Sequence, residues 1–213
     1  MKVNGEYLSV AAEAEAEFTE KRSRFIGRIK PVESESCAKE FVESVRAAHR
    51  EANHHVYAFI IGAASEIQRS NDDGEPAGTA GRPVLEALKQ AGLQNVALVV
   101  TRYFGGTLLG AGGLARAYGR AAGLAIGLAK PVRCLPSLLI SLHFAYDMIG
   151  RAESLLALSG AVIRDKSFAG DVCYLAVVPI SRLKKLEQGL AEAGNGAIRL
   201  QDMGERLYLQ EEL

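Results

Sequence analysis

Two stretches of this 213-residue chain have the residue types and spacing to do chemistry. The first, DDGEPAGTAGRP, places Asp72, Asp73 and Glu75 among Gly74, Gly78, Thr79 and Gly81, with Pro83 at its end. Carboxylates this close can bind a hard cation or divide acid and base roles between them. The same letters also spell a turn before a helix, because Asp-Gly and Glu-Pro form turns and carboxylates favour a helix N-terminus. The spacing is not that of an EF-hand, and neither a metal nor a cofactor is expected.

The second stretch, VALVVTRYFGGTLLGAGGLARAY, runs from an apolar strand-like segment through Gly105, Gly106, Gly110, Gly112 and Gly113 into a helix. Backbone N–H groups at such a turn can hold an anion, and Arg102 and Arg116 would add charge. Tight helix–sheet packing explains the same glycines. The stretch lacks Gly-Lys-Ser/Thr and the one-then-two glycine spacing, so it is neither a P-loop nor a dinucleotide fingerprint. Tyr103 could stack a base; Phe104 reads as core. Tyr118 closes the stretch. Lys21, Arg22 and Arg24 form the densest basic run, beside Phe25. His54 and His55 are adjacent, so on a strand they face opposite ways and would not share a metal. A structural or hydrogen-bonding role for one of them fits better. No serine sits in a nucleophile elbow, and the sequence implies no Cys–His pairing.

The elements that must position these residues follow from periodicity. Residues 12–18 alternate alanine and glutamate, as a strand or a frayed helix; KRSRFIGRIKPV and VYAFIIG read as strands. Cys37, Phe41, Val45 and Ala48 mark one face of a first helix. Pro83 opens a second, with Val84, Leu85 and Leu88 inward and Gly92 at its end. VALVV is a buried strand. A helix from about Gly113 to Ala129 would bury Leu114, Ala117, Tyr118, Ala121, Leu124 and Leu128. Gly119, Gly123 and Gly127 would give it a smooth groove for close packing. A helix followed by a neighbouring strand returns the chain to the end it left. The two stretches should therefore meet, bringing Arg102 or Arg116 to Asp72, Asp73 or Glu75. Pro131 and Pro136 bracket an expected linker between domains 1–133 and 134–213. Beyond it come a strand, a helix, two strands around Gly170-Asp171, a helix capped by Ser181, and a last strand. That βαββαβ order belongs to a ferredoxin-like sandwich.

Composition narrows the function classes. The chain carries 25 basic and 25 acidic side chains, 17 and 15 of them before residue 134. With halves of +2 and −2, RNA binding would need a local patch. The N-terminus shows no secretory signal, and Arg116 and Arg120 interrupt the apolar run from Phe104 to Ala129. A cytoplasmic protein without a membrane partner is expected. Cys37, Cys134 and Cys173 are far apart and odd in number, as reduced thiols would be.

The two long motifs, with RSRFI (22–26) and HHVYA (54–58), resemble the IMPACT family in its bacterial two-domain form. The likeness covers about residues 16–130; the remainder is similar in element order to the family's smaller appended domain. The resemblance implies an α+β fold, with a first domain like the second domain of ribosomal protein S5. It implies a second domain like the ferredoxin-like domains near the end of elongation factor G. Eukaryotic relatives regulate translation by competing for a ribosome-associated activator of an initiation-factor kinase, a pathway bacteria lack. The motif residues it implies are the eight of the first stretch, Arg102, Tyr103, the five glycines, Arg116 and Tyr118, with Arg24 and His54; all but Pro83 are expected to form a binding surface. No catalytic residue is implied. The expected function is non-catalytic binding of RNA, the ribosome or a translation factor, in translation regulation. The alternative is an enzyme acting on a phosphorylated small molecule.

Overall fold

The computed structural model describes residues 5–194 and 197–212. Its internal contacts divide the chain into two units, Tyr7–Arg133 and Cys134–Glu211. The first unit contains β1 (Tyr7–Val10), β2 (Ala14–Glu20), β3 (Ser23–Pro31), α1 (Glu35–Ala48), β4 (His54–Ile61) and β5 (Ile67–Asn71). It continues with α2 (Gly81–Gln90), β6 (Val96–Tyr103) and α3 (Ala111–Leu128). Strands β2-β3-β6-β4-β5 form an antiparallel sheet in that order.

Strand β6 is apolar on both faces because both are covered. Val96, Leu98 and Val100 enter a core shared with α2 and α3, while Ala97 and Val99 enter a core beneath α1. Period-two alternation then sends Arg102 to the α2–α3 face and Tyr103 to the α1 face. Ser34 caps α1 by accepting from the Cys37 N–H at 3.2 Å. The buried stripe of α1 is Ala38, Phe41, Val42 and Val45; Cys37 and Ala48 are exposed. The expected stripe was rotated because its spacing of three to four fits either neighbouring register.

Helix α3 departs from expectation in the same way. Ala122 and Ala125 are buried, whereas Leu124 and Leu128 are 40% and 61% exposed. A side chain on Gly119, Gly123 or Gly127 would meet nothing within 4 Å, so these glycines are not close-packing positions. The close approach is made instead by Gly27 of β3, where a Cβ would lie 2.6 Å from the Ala121 carbonyl oxygen. Alanines bring the helix down onto the sheet, and the leucines are left outside.

Strand β7 (Pro131–Phe144) leads into the second unit, so the segment expected as a linker is a strand. After a 3₁₀ turn at Tyr146–Met148 come α4 (Ile149–Leu158), β8 (Val162–Phe168), β9 (Val172–Pro179), α5 (Ile180–Gly194) and β10 (Arg199–Glu212). The order is βαββαβ, with strands β7-β9-β8 adjacent and β10 pairing β7. Ala152, Leu156, Leu186 and Leu190 of the two helices pack on Leu138, Ile140, Tyr174 and Ala176 of the sheet. Ser181 lies inside α5 rather than at its N-cap. Strands β1 and β5 were not anticipated: one is four residues long and the other, IQRSN, is polar. Among the described residues no helix is long and apolar enough to cross a membrane.

Candidate functional site

The register of three strands builds the floor of the site. Phe25 of β3 and His54 of β4 both stand opposite Arg102 of β6, giving a row Phe25–Arg102–His54 on the α2–α3 face. Tyr118 descends on this row from α3, and Glu75 reaches it from the loop between β5 and α2. Glu75 Oε1 accepts from Arg102 Nη1 at 2.6 Å and from the Tyr118 hydroxyl at 2.7 Å. The Glu75 and Arg102 side chains are only 3% and 5% exposed. Arg102 Nη2 donates to Ser23 Oγ at 3.3 Å, and its guanidinium lies between the rings of Phe25 and Phe104, 5.4 and 5.3 Å from their centroids. Its Nε has no hydrogen-bond partner among the described residues. Burial, reinforced by hydrogen bonding to Glu75, pushes the Tyr118 hydroxyl far above its ordinary range, so it remains a donor.

His54 completes the arrangement. Its Nδ1 lies 2.8 Å from the Asp73 carbonyl oxygen, which can only accept, so Nδ1 carries the proton. In the neutral ring Nε2 is then a bare acceptor, 3.8 Å from Glu75 Oε1.

The three acids of the first stretch have separate tasks. Asp72 Oδ1 accepts from the Ala80 and Gly81 N–H groups at 3.0 and 2.8 Å, and Oδ2 from Gly78 at 2.9 Å. It thereby caps α2, whose own N-cap position is alanine. Burial raises its carboxyl pKa, but the three N–H donors outweigh that and hold it below the usual value. Asp73, in the left-handed region at φ +43°, accepts from the His55 N–H at 2.7 Å and Arg46 Nη2 at 2.8 Å. Only Glu75 joins the buried cluster. Among the described residues no group of three or more His, Cys, Asp and Glu side chains could hold a metal.

The expected meeting of the two stretches therefore occurs at Arg102–Glu75 and Tyr118–Glu75. Other expected site residues lie elsewhere. Tyr103 is on the opposite face, its hydroxyl 2.9 Å from His49 Nδ1 and its ring beneath Arg24. Arg24 is exposed and paired with Glu17. Thr79 turns its hydroxyl to the Pro76 carbonyl at 2.6 Å. Arg116 is exposed and folds back over the first turn of α3, 3.6 Å from where a Gly112 Cβ would lie. Phe104, expected in the core, is 43% exposed above Arg102.

The loop between β6 and α3 is held down by close backbone approach. A Cβ at Gly105 would fall 2.1 Å from the Arg22 carbonyl group, so only glycine fits. The Gly105 N–H also donates to Ser23 Oγ at 3.2 Å, and the Phe104 N–H to Asn53 Oδ1 at 2.7 Å. Gly106, Gly110, Leu108 and Gly112 face solvent, and Gly113 packs against Leu109. No side chain caps α3 at Gly110. Ser23, Asn53, Arg46 and His49 were missed by sequence reasoning. Small polar residues outside a motif carry no periodic signal, although Ser23 lies within RSRFI.

Residues 21–126 match the model of the Impact N-terminal domain, and residues 142–197 match a domain of unknown function. IMPACT family member YvyE of Bacillus subtilis is 34% identical over 204 residues, covering 96% of this chain and 94% of the relative. The chain belongs to the IMPACT family. Family member YigZ of Escherichia coli is 36% identical over 182 residues, 84% of this chain and 89% of the relative. The rat protein IMPACT is 33% identical over 100 residues, 45% of this chain and 31% of the relative. A crystal structure described as that of a hypothetical protein superposes with a TM-score of 0.63 at 34% identity, covering 93% of this chain and 97% of that one. The two-domain α+β architecture thus agrees with a YigZ-like member. The Glu75–Arg102–Tyr118 node lies inside the part that matches the Impact N-terminal domain.

Proposed function

We propose that this protein is a non-catalytic, translation-associated binding protein that contacts structured RNA through the loop between β6 and α3. The observation that carries the reading is the division of labour within the motif. Its buried charges are consumed by one another at Glu75–Arg102, and its exposed part presents an open surface. That surface has an uncapped 18-residue helix at Gly110 with no acid in its first turn. It has Arg116 folded over that turn and exposed Arg22 against Gly105. Free N–H groups and arginines suit phosphate oxygens, and half-exposed Phe104 offers a ring for a base. Membership of the IMPACT family supports a translation-related role at a coarse level. The element order supports the finer reading of an S5-like first domain and a ferredoxin-like second domain, as in elongation factor G. Each would fold as its own unit, with a boundary near residue 134. An enzyme acting on a phosphorylated small molecule draws less support, because the carboxylate best placed for acid–base work is already engaged by Arg102 and Tyr118.

The test is sedimentation of the full chain with ribosomes and with structured RNA over a salt series. Arg116→Ala and Arg22→Ala should each lower the log–log salt slope by roughly 0.7 to 0.9 per lost phosphate contact. Phe104→Ala should cost about 1 to 3 kcal/mol where a base stacks on it. Folded variants with unchanged binding and slope would overturn the reading.

A further inference from the structure

The second unit holds a thiol–imidazole pair that the sequence did not disclose. His143 of β7 and Cys173 of β9 stand directly opposite in antiparallel register, and Cys173 Sγ lies 3.6 Å from His143 Nε2. Their chain neighbours Leu142, Phe144, Val172 and Tyr174 all enter the core beneath the helices. The pair therefore points to the other face of the sheet. His143 is exposed and Cys173 partly so. The residue opposite Cys173 on β8 is Ser167, too small to cover the sulfur. His143 also lines a cleft of about 310 Å³ with Ala145, Asp171 and Arg199. His143 thus contacts the thiol and borders a cleft that Asp171 and Arg199 also line.

We infer that Cys173 is a nucleophilic thiol that forms a reversible mixed disulfide with a small disulfide bearing carboxylates, such as glutathione disulfide. The thiolate is the reactive form, so a proton acceptor in contact with the sulfur is what such a site requires. The Cys173 proton passes to His143 Nε2, and the thiolate attacks one sulfur of the reagent. A new S–S bond forms at Cys173 and the reagent's own S–S bond breaks. The departing half leaves as a thiolate and takes up the proton from His143. Cys173 is oxidised and the departing half reduced, so electrons and protons balance. Arg199 receives a reagent carboxylate. Cys37 supplies an internal control: it is exposed on α1, and its thiol has no hydrogen-bond partner among the described residues. Cys134 is buried.

The experiment treats the full chain with glutathione disulfide and, separately, with neutral iodoacetamide, and follows each cysteine by peptide mass spectrometry. Cys173 should react with both reagents at least about tenfold faster than Cys37. His143→Gln should bring Cys173 down to the Cys37 rate with both, and Arg199→Ala should slow only glutathione disulfide. In a Cys173→Ser protein the fast phase should vanish, which tests the assignment even where a His143 variant folds poorly. A Cys173 rate no greater than that of Cys37, or one unchanged by His143→Gln, overturns the proposal. Equal slowing of both reagents by Arg199→Ala overturns the role given to Arg199.

Discussion

Glu75 in the first unit and Glu153 in the second have nearly the same ligands. Glu75 Oε1 holds Arg102 at 2.6 Å and the Tyr118 hydroxyl at 2.7 Å; Glu153 Oε1 holds Lys166 at 2.6 Å and the Tyr174 hydroxyl at 2.9 Å. The difference is solvent. The first ion pair is 3% and 5% exposed, the second 40% on both sides. Water screens Glu153–Lys166 and would solvate either partner alone, so its geometry says little about stability. At Glu75 no water replaces a lost partner, so each group makes the others indispensable. The cations follow the same logic: weakly hydrated, planar arginine is in the interior between two rings, and strongly hydrated lysine is at the surface. Equal distances therefore do not imply equal energies.

That comparison can be broken most sharply at the buried pair. Glu75→Leu or Arg102→Met should destabilise the first unit by about 3 to 5 kcal/mol in urea unfolding, by leaving a charge buried and uncompensated. The double variant Glu75→Leu with Arg102→Met should recover much of that loss, because a well-packed apolar pair leaves no orphaned charge. A double variant as unstable as the sum of its parts would contradict the account. Tyr118→Phe should cost about 1.5 to 3 kcal/mol, the range for a hydrogen bond to a charged group.

Asp72→Ala should cost about 0.5 to 2 kcal/mol through the lost cap of α2. Its pH dependence has a fixed sign. The folded-state pKa of Asp72 lies below the unfolded value of about 3.9. Its contribution is therefore complete above that pH and is lost as pH falls through the folded value. Asp72→Asn should flatten the acid limb of the stability curve; a limb that remains equally steep would reassign the acid sensitivity to other carboxylates. The smallest effect belongs to the surface pair: Glu153→Gln should leave the unfolding midpoint unchanged within error at physiological salt. A loss there as large as that at Glu75 would remove burial as the deciding variable.

His55 adds a second pH window. Burial lowers its pKa, and Arg46 and His49 lower it further against the opposing pull of Asp73. The stabilising neutral ring is fully favoured above the unfolded value of about 6.5 and is lost as pH falls below it. His55→Gln should reduce the slope of stability against pH on the acid side of 6.5.

Much of this protein was legible in the chain itself. The buried strand VALVV, the glycine clusters and the βαββαβ order of the second half follow from covalent geometry and burial, which act locally. That Arg102 or Arg116 would reach one of the three acids also followed, because a helix and a neighbouring strand return the chain to the same end; the choice of Arg102 and Glu75 did not. Arg102 and Tyr103 were expected at one surface, whereas strand alternation in the packed sheet sets them on opposite faces. On α1 and α3, apolar residues satisfied two helical registers, and only the sheet beneath chose Ala38 over Cys37 and Ala125 over Leu124. The roles of Ser23 and Asn53, the capping of α2 by a residue eight positions upstream and the Cys173–His143 pair were decided by tertiary structure alone. Each joins groups whose closeness depends on strand register and loop path, and register is a cooperative property of the packed sheet.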